Sequence, residues 1–188
     1  MKVQVGVSNR HIHLTKEAYK ILCGDKEIEA LRPLNQPGMF ASTDTFTIKT
    51  EKSEIPNVRV LGPFREYNQV EISRTDAYKL GVNPPIRTSG DLKGSEAITI
   101  VGPKGELHLD EGLIIADRHI HLTPEMKKIY GLEGKTKVKV FIGGEKSGII
   151  FNVDLKVSDE AYFEMHLDTD DANAFNLKQG DIVDIIED

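Results

Sequence analysis

The chain has 188 residues, enough for one large domain or two small ones, each with a core of its own. Lys and Arg total 24 against 30 Asp and Glu, a formal charge of -6 that excludes a sequence-independent electrostatic grip on nucleic acid. A single cysteine, Cys23, excludes an intrachain disulfide framework and a Cys-rich zinc knuckle, and no apolar run approaches the roughly 20 residues of a membrane span, so the expected setting is cytosolic.

In chain order, a short alternating run from Val3 to Val7 predicts a strand and is followed by a helical pattern. There Thr15 can act as N-cap, Glu17 sits in the first turn, and the segment to Leu22 stops before Gly24. Val- and Ile-rich runs then predict strands at Val58 to Leu61, Val70 to Ile72, Ala97 to Val101 and Leu113 to Ala116, most of them bounded by Gly, Pro, Asn or Asp. A second helix is predicted after Leu122, with Thr123 as cap, Pro124 at the first helical position and Gly131 as the stop. Strands follow at Val138 to Ile142, Ile149 to Val153 and Ile182 to Ile186, with a third short helix between Asp170 and Asn176. The fold class is mainly β.

An internal repeat organises these elements. Arg10-His11-Ile12-His13-Leu14-Thr15 recurs as Arg118-His119-Ile120-His121-Leu122-Thr123, each copy preceded by a strand-like run. A weaker echo lays Glu71-Ile72-Ser73-Arg74-Thr75-Asp76-Ala77 beside His166-Leu167-Asp168-Thr169-Asp170-Asp171-Ala172, which makes Glu71 and His166 equivalent. The first interval is the longer, and the polar stretch from Ala41 to Glu54 is expected to be an inserted hairpin.

Side chains two apart on a strand share a face, so His11 and His13, and likewise His119 and His121, can converge on one ion. The echo proposes Glu71 and His166 as the third donors. A lone His-x-His pair is commonly a surface feature, but its duplication is hard to explain by packing. Imidazole and carboxylate suit zinc or a similar divalent ion, and three protein ligands with an open position describe a catalytic site, two of which facing each other would form a dinuclear centre. His108 has no partner histidine two residues away and is expected to face solvent. Arg65, six residues before Glu71, offers a rigid fork for an anion, and Arg87-Thr88-Ser89-Gly90-Asp91 is a polar turn with a hydroxyl and backbone amides. Arg10 and Arg118 are expected to brace the histidine strands. Cys23, at a helix end, reads as a structural thiol.

Together with Gln36-Pro37-Gly38, Leu61-Gly62-Pro63, Gln69-Val70-Glu71-Ile72-Ser73 and the block from His166 to Val183, these motifs resemble the PduL-type phosphate acyltransferases in collinear order over nearly the whole chain. The resemblance implies two β-barrels with short capping helices and two zinc ions in a cleft between them, one barrel built from residues 1–9 plus 118–188 and the other from 10–117. It assigns His11, His13 and Glu71 to one zinc, His119, His121 and His166 to the second, Arg65 as the catalytic, phosphate-contacting arginine, and Ser89 to the same anion. It also implies acyl-CoA and phosphate as reaction partners, coenzyme A as a substrate of the interconversion, and a homodimer. Compartment-associated members carry an N-terminal extension, whereas here the first strand begins at Met1, so a free cytosolic enzyme, serving propanediol or acetate metabolism, is expected. The rival readings are a dinuclear zinc hydrolase and a non-catalytic metal- or sugar-binding β module.

Overall fold

Apolar alternation along the chain resolves, in a computed structural model describing residues 1–186, into mainly strand with a few short helices. In chain order the elements are β1 (Lys2–Ser8), β2 (His11–His13), α1 (Lys16–Cys23), β3 (Ala30–Pro33), β4 (Phe40–Lys49), β5 (Glu54–Gly62), β6 (Gln69–Glu71) and α2 (Arg74–Leu80). Then come β7 (Ile86–Arg87), β8 (Glu96–Val101), β9 (Glu106–Ala116), β10 (His119–Leu122), α3 (Pro124–Ile129), β11 (Lys137–Ile142), β12 (Gly148–Val157), β13 (Glu164–Asp168), α4 (Thr169–Ala174) and β14 (Ile182–Ile186). They form two compact units, Met1–Asn9 with Asp117–Asp188, and Arg10–Ala116.

The first unit is a closed barrel in the order β1-β13-β10-β12-β11-β14. In the second, β4, β5, β2, β6 and β9 follow one another, and β8 closes the ring by pairing with both β9 and β4; β3 and β7 are appended outside it. Both barrels repeat one pattern. The histidine strand runs parallel to one neighbour (β2 with β5, β10 with β12) and antiparallel to the other (β2 with β6, β10 with β13). The strand leading into each motif pairs in the other motif's barrel: β1 precedes β2 yet pairs with β13 and β14, while β9 precedes β10 yet pairs with β6 and β8.

Strand parity separates core from site. Ile12 and Val70 in one barrel, and Val5, Ile120 and Met165 in the other, are fully buried inside, and each such side chain contributes about 1.5–3 kcal/mol by leaving water. The residues that alternate with them, the histidines among them, therefore occupy the outer barrel faces.

Among the described residues, all four helices start on a side-chain cap that accepts from the third helical backbone N–H: Thr15 from Ala18 (3.1 Å), Ser73 from Asp76 (3.2 Å), Thr123 from Met126 (3.1 Å) and Asp168 from Asp171 (2.8 Å). Sequence reading did not anticipate α2, whose local signals are the Ser73-x-x-Asp76 pair at its start and the left-handed Gly81 at its end. The stretch from Ala41 to Glu54 is also not an insertion. His11 registers with Arg59 and Arg59 with Thr45, as His119 registers with Asp154 and Asp154 with Lys137, so β4 and β5 are barrel strands equivalent to β11 and β12. The extra length lies upstream of Thr45, in β3 and the turn between β3 and β4. Strand-rich polarity misled here because β4 is amphipathic, with Phe46 and Ile48 buried and Thr45 and Thr47 turned outward.

Candidate metal centres

In the first unit, the antiparallel register of β10 and β13 sets His166 opposite His119 and Glu164 opposite His121. One potential ligand atom from each of His119, His121 and His166 falls within 4.8 Å of the others. His119 Nδ1 lies 2.7 Å from the carbonyl oxygen of Asp117; a carbonyl only accepts, so Nδ1 carries the proton and Nε2 keeps its lone pair. That Nε2 is 3.1 Å from Nε2 of His121. Burial first, then His119, His166 and Lys156, push the His121 pKa down to about 2, which keeps its ring neutral, the form a metal ion takes.

The second unit repeats the layout. On β2 and β6, His11 registers with Glu71 and His13 with Gln69, and ligand atoms of His11, His13 and Glu71 again fall within 4.8 Å of one another. His11 Nε2 is 3.2 Å from Glu71 Oε2. In each unit, three convergent donors of this kind fit a zinc-type ion with an open position.

The space behind the first triad is tight. A Cβ added at Gly6 on β1 would come within 2.8 Å of the Glu164 carboxyl carbon and 2.9 Å of His166 Cδ2, so any side chain there displaces both. Gly6→Ala is expected to cost about 1–3 kcal/mol of stability and to weaken metal retention by this unit. Thermal melting and chelator competition check it, and an unchanged melting point with native metal retention would remove Gly6 from the site.

Arg65 follows the first motif in space as well as in sequence. Its backbone N–H donates to the carbonyl of Leu14 (2.8 Å), Nη2 approaches Met39 Sδ (3.1 Å), and Nε is buried with no hydrogen-bond partner among the described residues. A guanidinium nitrogen left so is costly unless an anion completes it. Ser89 is brought next to Glu71 through Gln69, whose Nε2 donates to Ser89 Oγ (2.8 Å) and to Glu71 Oε1 (2.6 Å), while its Oε1 accepts from Gly90 N–H (2.8 Å).

Residues 4–178 match the family model described as phosphate propanoyltransferase. The chain belongs to the phosphate propanoyltransferase family. It is 49% identical over 185 residues to the phosphate propanoyltransferase of Thermotoga maritima, covering 97% of this chain and 88% of that protein. It is 46% identical over 173 residues to the Salmonella typhimurium protein of that name (92% and 82% covered), and 46% identical over 186 residues to that of Lachnoclostridium phytofermentans (98% and 87% covered). This family member is accordingly an acyltransferase, with a phosphate acyltransferase role.

Within this phosphate propanoyltransferase-family chain the motif arginines act alike. Arg10 Nε meets Asp76 Oδ2 at 2.9 Å and Arg118 Nη1 meets Asp171 Oδ1 at 3.5 Å, each tying a histidine strand to the helix after the third candidate donor. His108 is exposed on β9, hydrogen-bonded with Thr99 at 2.9 Å, and Cys23 is buried in the second core, where burial raises its thiol pKa. No helix among the described residues is long and apolar enough to cross a membrane. Sequence reading left Gln69, Glu164 and Gly6 without roles, although Gln69 and Glu164 each stand two residues before a third donor, the spacing that marks a shared face.

Proposed function

We propose that the protein interconverts acyl-CoA plus phosphate with acyl phosphate plus CoA, for short acyl groups such as acetyl or propanoyl, with two zinc ions, one held by His11, His13 and Glu71 and one by His119, His121 and His166. The duplicated triad carries the reading: two sets of three donors, on equivalent strands of two barrels, in a chain of the phosphate propanoyltransferase family. When bound, such ions supply Lewis-acid polarisation of a carbonyl and a soft acceptor for a thiolate.

The chain's own residues do the rest. Arg65 grips the phosphate through its planar fork, with the buried Nε as one donor, and holds it for attack on the thioester carbonyl carbon. Ser89 Oγ accepts from Gln69, which leaves its own hydrogen to donate to the same anion. A new C–O bond to phosphate forms as the C–S bond breaks, and the pair of electrons leaves with the CoA sulfur, so no enzyme nucleophile is needed and buried Cys23 stays a bystander. Acetyl and propanoyl differ by one methylene, worth about 1–3 kcal/mol in a pocket.

The test is CoA release from acetyl-CoA and propanoyl-CoA with and without phosphate, before and after chelation and zinc return. CoA release that depends on phosphate, yields acyl phosphate and is abolished by chelation is expected. Release without phosphate would instead identify a thioester hydrolase.

A further inference from the structure

The two barrels place different residues at one equivalent position beside the third donor. On β6, Gln69 registers with His13 and is 0% exposed; on β13, Glu164 registers with His121 and is 3% exposed. Gln69 donates its amide N–H to Glu71 Oε1 at 2.6 Å, and Glu164 Oε2 lies 2.8 Å from Nε2 of His166. In one unit an amide donor meets a carboxylate, and in the other a carboxylate acceptor meets an imidazole. Both contacts bridge residues two apart on the outer face of a strand, so the same backbone geometry serves opposite chemistries.

We infer that Gln69 and Glu164 are positioning residues, matched in polarity to the third ligand of their own triad, each fixing the direction in which that ligand presents its lone pair. The inference rests on reading Glu71 and His166 as ligands. An ionised carboxylate only accepts, so the His166 nitrogen facing Glu164 carries the proton and the other ring nitrogen is left for an ion; an amide N–H occupying Oε1 of Glu71 likewise directs Oε2 toward His11, 3.2 Å away. Burying a carboxylate at position 164 is offset by that charge-assisted bond, whereas a carboxylate at 69 would face another carboxylate at contact distance.

A one-way tolerance follows. An amide can accept from imidazole as well as donate to carboxylate, so Glu164→Gln is compatible with His166, but Gln69→Glu has no N–H for Glu71. Zinc affinity is to be measured by chelator competition, each variant in a background that disables the other triad (His121→Ala for the Gln69 series, His13→Ala for the Glu164 series), with circular dichroism and metal-free melting as folding controls. Gln69→Leu, Gln69→Glu and Glu164→Leu are expected to weaken zinc by about 10- to 100-fold, Glu164→Gln to stay near the parent value, and Gln69→Glu combined with Glu71→His to recover affinity by rebuilding the Glu–His pair of the other unit. Native affinity in Gln69→Glu, equal loss in both exchange directions, or no recovery in the double variant would overturn the inference. If the parent backgrounds bind no zinc at all, the ligand assignment itself fails, a different result from any of these.

Discussion

His121→Ala is expected to reduce phosphate-dependent turnover by at least about 10³-fold and to remove one of the two proposed zinc ions while leaving the fold intact. The magnitude follows from several kcal/mol of charge stabilisation lost at the reacting carbonyl, at 1.36 kcal/mol per tenfold. The fold survives because His121 belongs to the outer face of β10, whereas its neighbours Ile120 and Leu122, both 0% exposed, keep the barrel interior filled. His13→Ala should behave the same way in the other unit. Metal content by mass spectrometry of the intact protein, circular dichroism and the CoA-release assay together check this; near-native turnover with one ion missing would show that this triad is not part of the catalytic machinery.

Arg65→Ala is expected to lower kcat/KM for phosphate by about 10²- to 10³-fold, the range for truncating one partner of a buried charged hydrogen-bond pair, with zinc content unchanged. Arg65→Lys should recover little of it, since an ammonium cannot place two parallel N–H donors against one phosphate. The buried Nε is the reason to expect a large effect: the side chain already bears the desolvation cost that a bound anion would offset. A variant that loses affinity for acyl-CoA but keeps its phosphate KM would move Arg65 to the other substrate.

Particular residues show how far the chain could be read without a structure. Thr15, Thr123 and Pro124 announce helix starts through chemistry local to one turn, and those helices begin where the caps place them. The histidine doublets are equally local, because a strand repeats its face every second residue whatever it pairs with. Helix α2 was missed because Ser73-Arg74-Thr75-Asp76 carries a cap without an obvious apolar face ahead of it, and the segment from Ala41 to Glu54 was misread because composition does not tell a polar-faced barrel strand from an insertion. Gln69 opens a family motif but received no role from it, and Glu164 lies in none; their meaning appears only once β6 and β13 are registered against the histidine strands.

Sequence by itself determined the mainly β class and showed the duplication, and it placed the Thr15 and Thr123 caps and the two histidine doublets, features set by interactions within a few bonds of the chain. Tertiary structure decided which strands close each barrel, that β1 and β9 each complete the barrel of the other motif, and which buried neighbour stands against each third donor. The reason is physical: an alternating strand satisfies its parity equally well against many partners, and only the packing of the two cores selects one.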